Sequence, residues 1–215
     1  HTIIRSAPPR TLASGIADAV AKWYESYLTS STSHDGFVQQ AVQMARVLRD
    51  QLFLNSYKAL IDPLSNHWEI VAEGCALTAG IIGGLGGARC RTAAAHPIHN
   101  GLTQLKYKNK PLHGELVGFG LLVQLHLEEK NSNSQLPKQA KSQLIDFFTK
   151  LNLPISMDSF SLTNTNPNEI YKACKFACNE NSDIHQLPFP INEKDLFKAI
   201  QSLQSLPTNC NIGSK

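Results

Sequence analysis

The sequence lacks a strong excess of charge and any long run of basic residues. Its 215 residues carry a formal net charge of +3 at pH 7, and Lys and Arg never occur five in a row. Binding to nucleic acid or to an anionic membrane usually requires a dense basic patch. We therefore expect neither a nucleic acid nor a membrane as a partner.

Long apolar runs are also lacking, and we do not expect the opening residues to be a signal peptide. Apolar stretches such as 116–127 are shorter than the roughly 20 residues that a membrane-spanning helix needs. The opening residues HTIIRSAPPR contain no basic segment followed by an apolar run and a cleavage site. We predict no transmembrane segment. Because the sequence opens on His and not Met, we also expect a further segment to precede it in the complete protein.

Cysteine is sparse and irregularly spaced. The five cysteines are Cys75, Cys90, Cys174, Cys178 and Cys210. Zinc knuckles use C-x-x-C pairs, whereas the only close pair here is four residues apart. This spacing predicts half-buried structural thiols on one helix, and unpaired thiols favour a reducing cytoplasm.

The alternation of apolar and polar residues that marks β-strands is not found in a convincing run. Apolar residues recur instead at helical spacing, for example at Leu12, Ile16, Val20, Trp23 and Tyr27, which we predict to form one stripe after two adjacent prolines. The pattern predicts an all-α fold. With 42% hydrophobic residues, the chain is long enough for one helical domain over 1–215.

Further helices are predicted at similar spacing along the rest of the chain. We expect them over 37–61 and 66–79, across the Ala-rich segment around 91–105, over 114–130 as a buried helix, and as three amphipathic helices after residue 136. Between the predicted helix over 66–79 and the Ala-rich segment lies GIIGGLGGAR, with five glycines between 80 and 87. It matches no phosphate-binding motif, so we favour close helix packing and a break in regular structure over a phosphate site.

Three histidines are candidate metal ligands, since imidazoles on rigid helices suit a catalytic divalent ion. His96 and His99 are three residues apart, and His113 lies where a loop meets a helix. From spacing alone, a packed or capping role is the more frequent one for each. Pro97 is expected to interrupt the helix at His96. Asp18 falls opposite the first apolar stripe, where a simple ion pair with Lys22 would explain it.

Four blocks of sequence nevertheless resemble a known family. They are SAPPRTLASGIADAVAKWYE, GGLGGARCRTAAAHPIHNGLTQL, LHGELVGFGLLVQL and DIHQLPFPINEKDLFKAI, in this order along essentially the whole chain. They are similar to the successive signatures of the metal-dependent group III alcohol dehydrogenases, in their glycerol dehydrogenase branch. The resemblance implies the C-terminal helical domain of the dehydroquinate synthase-like fold.

The resemblance also implies a site and an activity. A zinc or iron ion would be bound by Asp18, His96 and His113, and His99 would lie beside it as a candidate catalytic residue in contact with substrate or nucleotide. The metal would act as a Lewis acid on a substrate hydroxyl or carbonyl, so that hydride passes between an alcohol or hydroxy acid and the nicotinamide of NAD(P).

Members of this family have a second, N-terminal α/β domain that binds most of the nucleotide, and these 215 residues resemble only the helical half. We expect the isolated chain to be inactive. We also expect the surface around the glycine run and His96 to be apolar, or covered by another copy in a homo-oligomer.

Several alternatives remain at this point. Arg89 and Arg91 are equally consistent with recognition of a substrate carboxylate and with ordinary surface charge. A non-catalytic helical module for oligomerisation or partner binding would retain the same fold. A free-standing metal hydrolase would use the same three ligands, but the sequence offers it no recognisable general base.

Overall fold

The structure, a computed structural model, describes residues 1–204 and contains ten α-helices and no β-strand in that range. The helices are α1 (Thr2–Arg5), α2 (Pro9–Thr29), α3 (Gly36–Ile61), α4 (Asn66–Glu73), α5 (Ala79–Gly86), α6 (Ala95–Leu102), α7 (His113–Asn131), α8 (Leu136–Lys150), α9 (Pro167–Ala177) and α10 (Glu193–Ser202). The predicted all-α class is confirmed.

Helix α2 begins at Pro9, whose missing N–H costs nothing in the first helical turn. The predicted stripe is only partly correct. Ile16 and Val20 are fully buried, but Trp23 is half-buried and Tyr27 is 55% exposed. The reason is that α2 packs against α3 on one side and α7 on another, so that burial extends around most of the helix between residues 13 and 21.

Helix α3 matches the predicted range closely because its ends are marked by strong local signals. The Asp35 carboxylate accepts hydrogen bonds from the backbone N–H groups of Phe37 (2.9 Å) and Val38 (3.4 Å), which would otherwise lack partners. The helix ends at Ile61, just before Asp62 and Pro63.

The predicted break at the glycine run is wrong. A π-helical turn at Gly74–Thr78 joins α4 to α5, and α5 continues through four of the five glycines to end at Gly86. Each glycine disfavours a helix by about 1 kcal/mol, and packing of α5 against α3 offsets the summed cost. The break comes at Gly87, whose φ of 58° is a conformation that glycine adopts readily.

The α4–α5 segment also differs from the expectation about apolar length. The stretch Asn66–Cys90 has a mean hydropathy of 1.5 and is long and apolar enough to span a membrane by length and composition. The expectation that the apolar stretches are too short to span a membrane is therefore wrong, whereas the absence of a transmembrane segment stays a prediction. Core helices of soluble proteins satisfy the same criterion, so the composition alone establishes no membrane partner.

Helix α7 is buried along most of its length, as its apolar sequence predicts. Glycines bring it unusually close to two neighbouring helices. A Cβ on Gly114 would lie 1.8 Å from the carbonyl oxygen of Ser14 in α2, and one on Gly120 would lie 2.5 Å from that of Ala95 in α6. At these two glycines, the backbone of α7 lies directly against the backbones of α2 and α6.

The C-terminal part contains the three predicted amphipathic helices, α8, α9 and α10. In α9 and its C-terminal cap, Cys174 is buried and Cys178 half-buried, both as free thiols. Burial raises the pKa of each to about 12, so both are protonated at neutral pH. This agrees with the predicted structural role. Cys210 lies outside the described residues.

Candidate metal centre

Three side chains from three helices meet at one end of the α2–α6–α7 group. Asp18 projects from α2, His96 is the second residue of α6, and His113 is the first residue of α7. One ligand atom from each lies within 4.8 Å of the other two. The structure thus brings together the three residues that the resemblance predicted to bind a metal.

The Asp18 carboxylate is directed at both imidazoles. Its Oδ1 lies 3.3 Å from Nε2 of His96 and 3.6 Å from Nε2 of His113. These contacts, and not an ion pair with Lys22, are its close charged interactions. Oδ1 is buried and receives no well-aligned hydrogen bond. A buried carboxylate oxygen without a donor is suited to a cation.

The predicted interruption of the helix at Pro97 is wrong. Pro97 is the third residue of α6, and its ring is buried in the first turn. Backbone N–H groups in that turn have no acceptor within the helix, so the proline removes no helical hydrogen bond. His96 is therefore held on regular helix.

Glu25 is a functional candidate that the sequence interpretation missed. Its side chain is fully buried, and its Oε2 lies 2.6 Å from Nδ1 of His96. Its Oε1 accepts from the backbone N–H groups of Ala93 (2.8 Å) and His96 (3.2 Å). The available signal was its position seven residues after Asp18, which places both carboxylates on one face of α2.

A second buried side chain completes the hydrogen bonding at the start of α6. The amide oxygen of Gln124, on α7, accepts from the backbone N–H groups of Ala94 (3.2 Å) and Ala95 (3.1 Å). Together with Glu25, it satisfies four consecutive N–H groups that would otherwise be buried without partners. The first turn of α6 is therefore rigidly positioned.

His113 is positioned by the start of α7 and by another histidine. The buried Glu115 carboxylate accepts from the N–H of Leu112 (2.8 Å) and forms a bidentate pair with Arg10. Nδ1 of His113 lies 3.0 Å from Nε2 of His99. His99 therefore contacts a candidate ligand directly.

The hydrogen bonds from Asn100 through His99 to His113 engage Nδ1 of both rings. The amide oxygen of Asn100 can only accept, so Nδ1 of His99, 2.9 Å away, is the donor. Nε2 of His99 then accepts from Nδ1–H of His113. Nε2 of His113 is then the ring nitrogen that faces Asp18 and that would bind a metal.

The electrostatic environment favours ionised Asp18 and charged His96 when no metal is bound. Burial alone would raise the pKa of Asp18, but His113 and His96, with Lys22, hold it well below its usual range. Burial alone would lower the pKa of His96, but the Glu25 and Asp18 carboxylates raise it to about 10. A positive charge is therefore stabilised between these carboxylates.

The donor set fits a divalent metal. Zinc bound tetrahedrally at about 2.0–2.2 Å keeps its ligand atoms roughly 3.3–3.6 Å apart, which matches the two Asp18 contacts. Two imidazoles and one carboxylate suit zinc or ferrous iron. The side chain of His96 is 16% exposed and that of His113 is 54% exposed, so the His113 side remains open for a further ligand.

Other candidate residues are located elsewhere. The guanidinium of Arg89 donates to Ser33, and its carbonyl oxygen accepts from Ser30, at the C-terminal end of α2. That end is about 17 Å along the helix from Asp18 at 1.5 Å per residue, so Arg89 is not at the site.

Comparison with known proteins gives relatives over almost the whole chain, although no family model matches. A protein of Synechocystis sp. named as an uncharacterized oxidoreductase is 47% identical over 202 residues, covering 94% of this chain and 52% of that protein. Glycerol dehydrogenase of Thermotoga maritima is 30% identical (93% and 55% covered), and hydroxycarboxylate dehydrogenase A of Escherichia coli is 31% identical (94% and 56%). The chain spans about half the length of these relatives.

Solved structures of glycerol dehydrogenases also match almost the whole chain. The crystal structure of a probable glycerol dehydrogenase from Sinorhizobium meliloti matches with a TM-score of 0.79 at 29% identity, over 93% of this chain and 56% of that one. Glycerol dehydrogenase from Schizosaccharomyces pombe matches with a TM-score of 0.81 at 27% identity, over 93% and 51%. The predicted resemblance is therefore confirmed: over 93% of its length, the chain is similar in sequence and fold to about half of a glycerol dehydrogenase.

Proposed function

We propose that residues 1–215 form the metal-binding catalytic half of an NAD(P)-dependent dehydrogenase that acts on an alcohol, a polyol or a hydroxy acid. The observation that carries this proposal is the convergence of Asp18, His96 and His113, with two Nε2 atoms directed at one carboxylate oxygen. The names of the relatives support the reaction class.

The metal, when bound, supplies a Lewis acid that polarises a substrate hydroxyl or carbonyl oxygen. The chain's own residues fix where that oxygen lies. One carboxylate and two neutral imidazoles leave the centre with a net positive charge, which favours an oxygen that becomes negative. The exposed side of His113 provides access for a small substrate, and the buried start of α6 excludes water from the opposite side.

The nicotinamide requires a second structural unit in this proposal. We place the NAD(P) site on an α/β half outside residues 1–215, so that the isolated chain binds metal but does not transfer hydride. We assign the protein to the cytoplasm and expect a homo-oligomer. In line with the expected apolar surface near the glycine run, α4–α5 and the turn between them expose Leu77 (63%), Ile81 (52%) and Leu85 (39%).

Metal analysis of substituted chains tests the site assignment. Asp18→Ala, His96→Ala and His113→Ala should each lower the zinc or iron retained after dialysis from one equivalent to a small fraction. His34→Ala, in the exposed loop between α2 and α3, is the matched control and should retain the metal. Full retention in all three site variants would refute the assignment.

Assay of the protein that carries both halves tests the reaction. NAD(P)H should form with glycerol or a 2-hydroxy acid, and Asp18→Asn should abolish its formation.

The same exposed apolar face on α5 favours one alternative, a non-catalytic oligomerisation or partner-binding module. That alternative predicts no turnover by the protein that carries both halves.

A further inference from the structure

Glu25 places a fully buried carboxylate directly behind His96. Burying a charge is costly unless it is paired and hydrogen-bonded. Here both carboxylate oxygens have partners, since Oε1 accepts from the backbone of Ala93 and His96 while Oε2 contacts the His96 ring. The two oxygens therefore act on different parts of the same segment.

The contact of Oε2 with Nδ1 of His96 determines what the other ring nitrogen presents. A carboxylate can only accept, so the 2.6 Å contact requires a proton on Nδ1. In the neutral ring the lone pair is then on Nε2, which faces Asp18 at 3.3 Å. A metal-ligating histidine commonly donates its other N–H to a carboxylate in this way.

We propose that Glu25 is a positioning residue that fixes the orientation and tautomer of His96 for metal binding. This inference rests on the proposed function, because it assumes that His96 Nε2 is a metal ligand. Glu25 lies behind the ring and acts through it, whereas Asp18 lies in front of it.

The substitution Glu25→Gln distinguishes this role from simple support of the helix. The glutamine oxygen can still accept from the N–H groups of Ala93 and His96. Its NH₂ group would then face Nδ1 of His96 as a donor, which favours a proton on Nε2 and opposes metal binding. The shape of the side chain is retained while the preferred tautomer is reversed.

The matched control removes support for α6 without changing the ring contact. Gln124→Met deletes the acceptor for the N–H groups of Ala94 and Ala95, while no contact of Gln124 with the His96 ring is lost. If Glu25 only supported the start of α6, Gln124→Met would weaken zinc binding at least as much as Glu25→Gln.

The experiment is a zinc titration of the 215-residue chain against a competing chelator, with circular dichroism to monitor folding and NMR of the imidazole nitrogens to identify the His96 tautomer. We expect Glu25→Gln to fold, to bind zinc roughly 10–100-fold more weakly and to lose the proton on Nδ1 of His96, which the wild-type chain keeps. Gln124→Met should lose stability with a smaller change in zinc affinity.

Two results would overturn the inference, and they are distinguishable. Equal zinc affinity and a retained proton on Nδ1 of His96 in Glu25→Gln, with normal binding by the wild type, would refute the role of Glu25 alone. Absence of zinc binding by the wild-type chain would refute the proposed metal centre and the role of Glu25 with it. Should Glu25→Gln fail to fold, Glu25→Asp provides the second test, because its shorter carboxylate should also weaken zinc binding.

Discussion

At the scale of single residues, the metal centre depends on side chains that hold the three candidate ligands from behind. His96 is held by the Glu25 carboxylate, and His113 by the imidazole of His99. In both rings Nδ1 is engaged and Nε2 faces Asp18. A site prepared in this way loses little side-chain freedom when a ligand binds.

His99 provides a prediction at this scale. His99→Ala removes the acceptor for Nδ1–H of His113 and should weaken zinc binding roughly tenfold, since the ring then loses its orientation. Zinc titration measures the effect, with His34→Ala as the control. If His99 serves instead only to contact substrate or nucleotide, the variant will bind zinc as the wild type does.

Glu128 provides a second prediction that is independent of the metal. Together with Tyr24 and Arg49, it lines a cavity of about 900 Å³, and Arg49 is itself paired with Asp50. Burial raises the pKa of Glu128 from 4.5 to about 7, although Gln124 donates a hydrogen bond to it. The folded chain thus keeps a proton that the unfolded chain releases.

The raised pKa of Glu128 makes the free energy of unfolding depend on pH. Between pH 4.5 and about 7 the folded state binds more protons at Glu128, so the free energy of unfolding should fall as the pH rises through this window. The loss should be on the order of 1–2 kcal/mol after solvent screening. Urea denaturation at several pH values checks this, and Glu128→Gln should remove the decline. An identical decline in both proteins would contradict the assignment.

At the scale of helices, the glycines of α7 determine how closely the ligand-bearing helices approach. Gly120 meets the Ala95 carbonyl oxygen, so Gly120→Ala should destabilise the chain by about 1–3 kcal/mol and move the start of α6, which carries His96. Gly80, in α5, faces open space, and Gly80→Ala should be neutral or stabilising by up to about 1 kcal/mol. Thermal denaturation of both variants tests this, and equal effects would contradict it.

Some features of the helices could be predicted from the sequence, and others could not. Helix α3 was predicted to within one residue because Asp35 and the Asp62–Pro63 pair mark its ends. The glycine run was misjudged, because intrinsic propensity favours a break and packing against α3 outweighs it. At Pro97 the prediction failed since the helix begins only two residues earlier.

The candidate site was less accessible to sequence reasoning than the helices were. Spacing alone did not select Asp18, because the local pattern offered Lys22 as a partner and gave no indication that His96 and His113 approach from two other helices. The resemblance to the family supplied that information. Glu25 was not found by either route, since an acidic residue on an amphipathic helix is ordinarily exposed.

At the scale of the whole molecule, a metal at this site would connect three helices that are distant in sequence. Zinc that binds only the folded chain should raise the free energy of unfolding by about 2.7 kcal/mol when its free concentration is one hundred times Kd. Thermal denaturation with zinc and with a chelator measures this, and Asp18→Asn should lose most of the shift. An equal shift in that variant would place the zinc elsewhere.

The central claim is that one carboxylate and two imidazoles bind the same ion. X-ray absorption spectroscopy at the zinc edge of the loaded chain tests this claim most directly. We predict two imidazole nitrogens and additional oxygen donors at about 2.0–2.2 Å, with one imidazole lost in His113→Ala. Sulfur donors at about 2.3 Å, or a spectrum without imidazole scattering, would contradict the account.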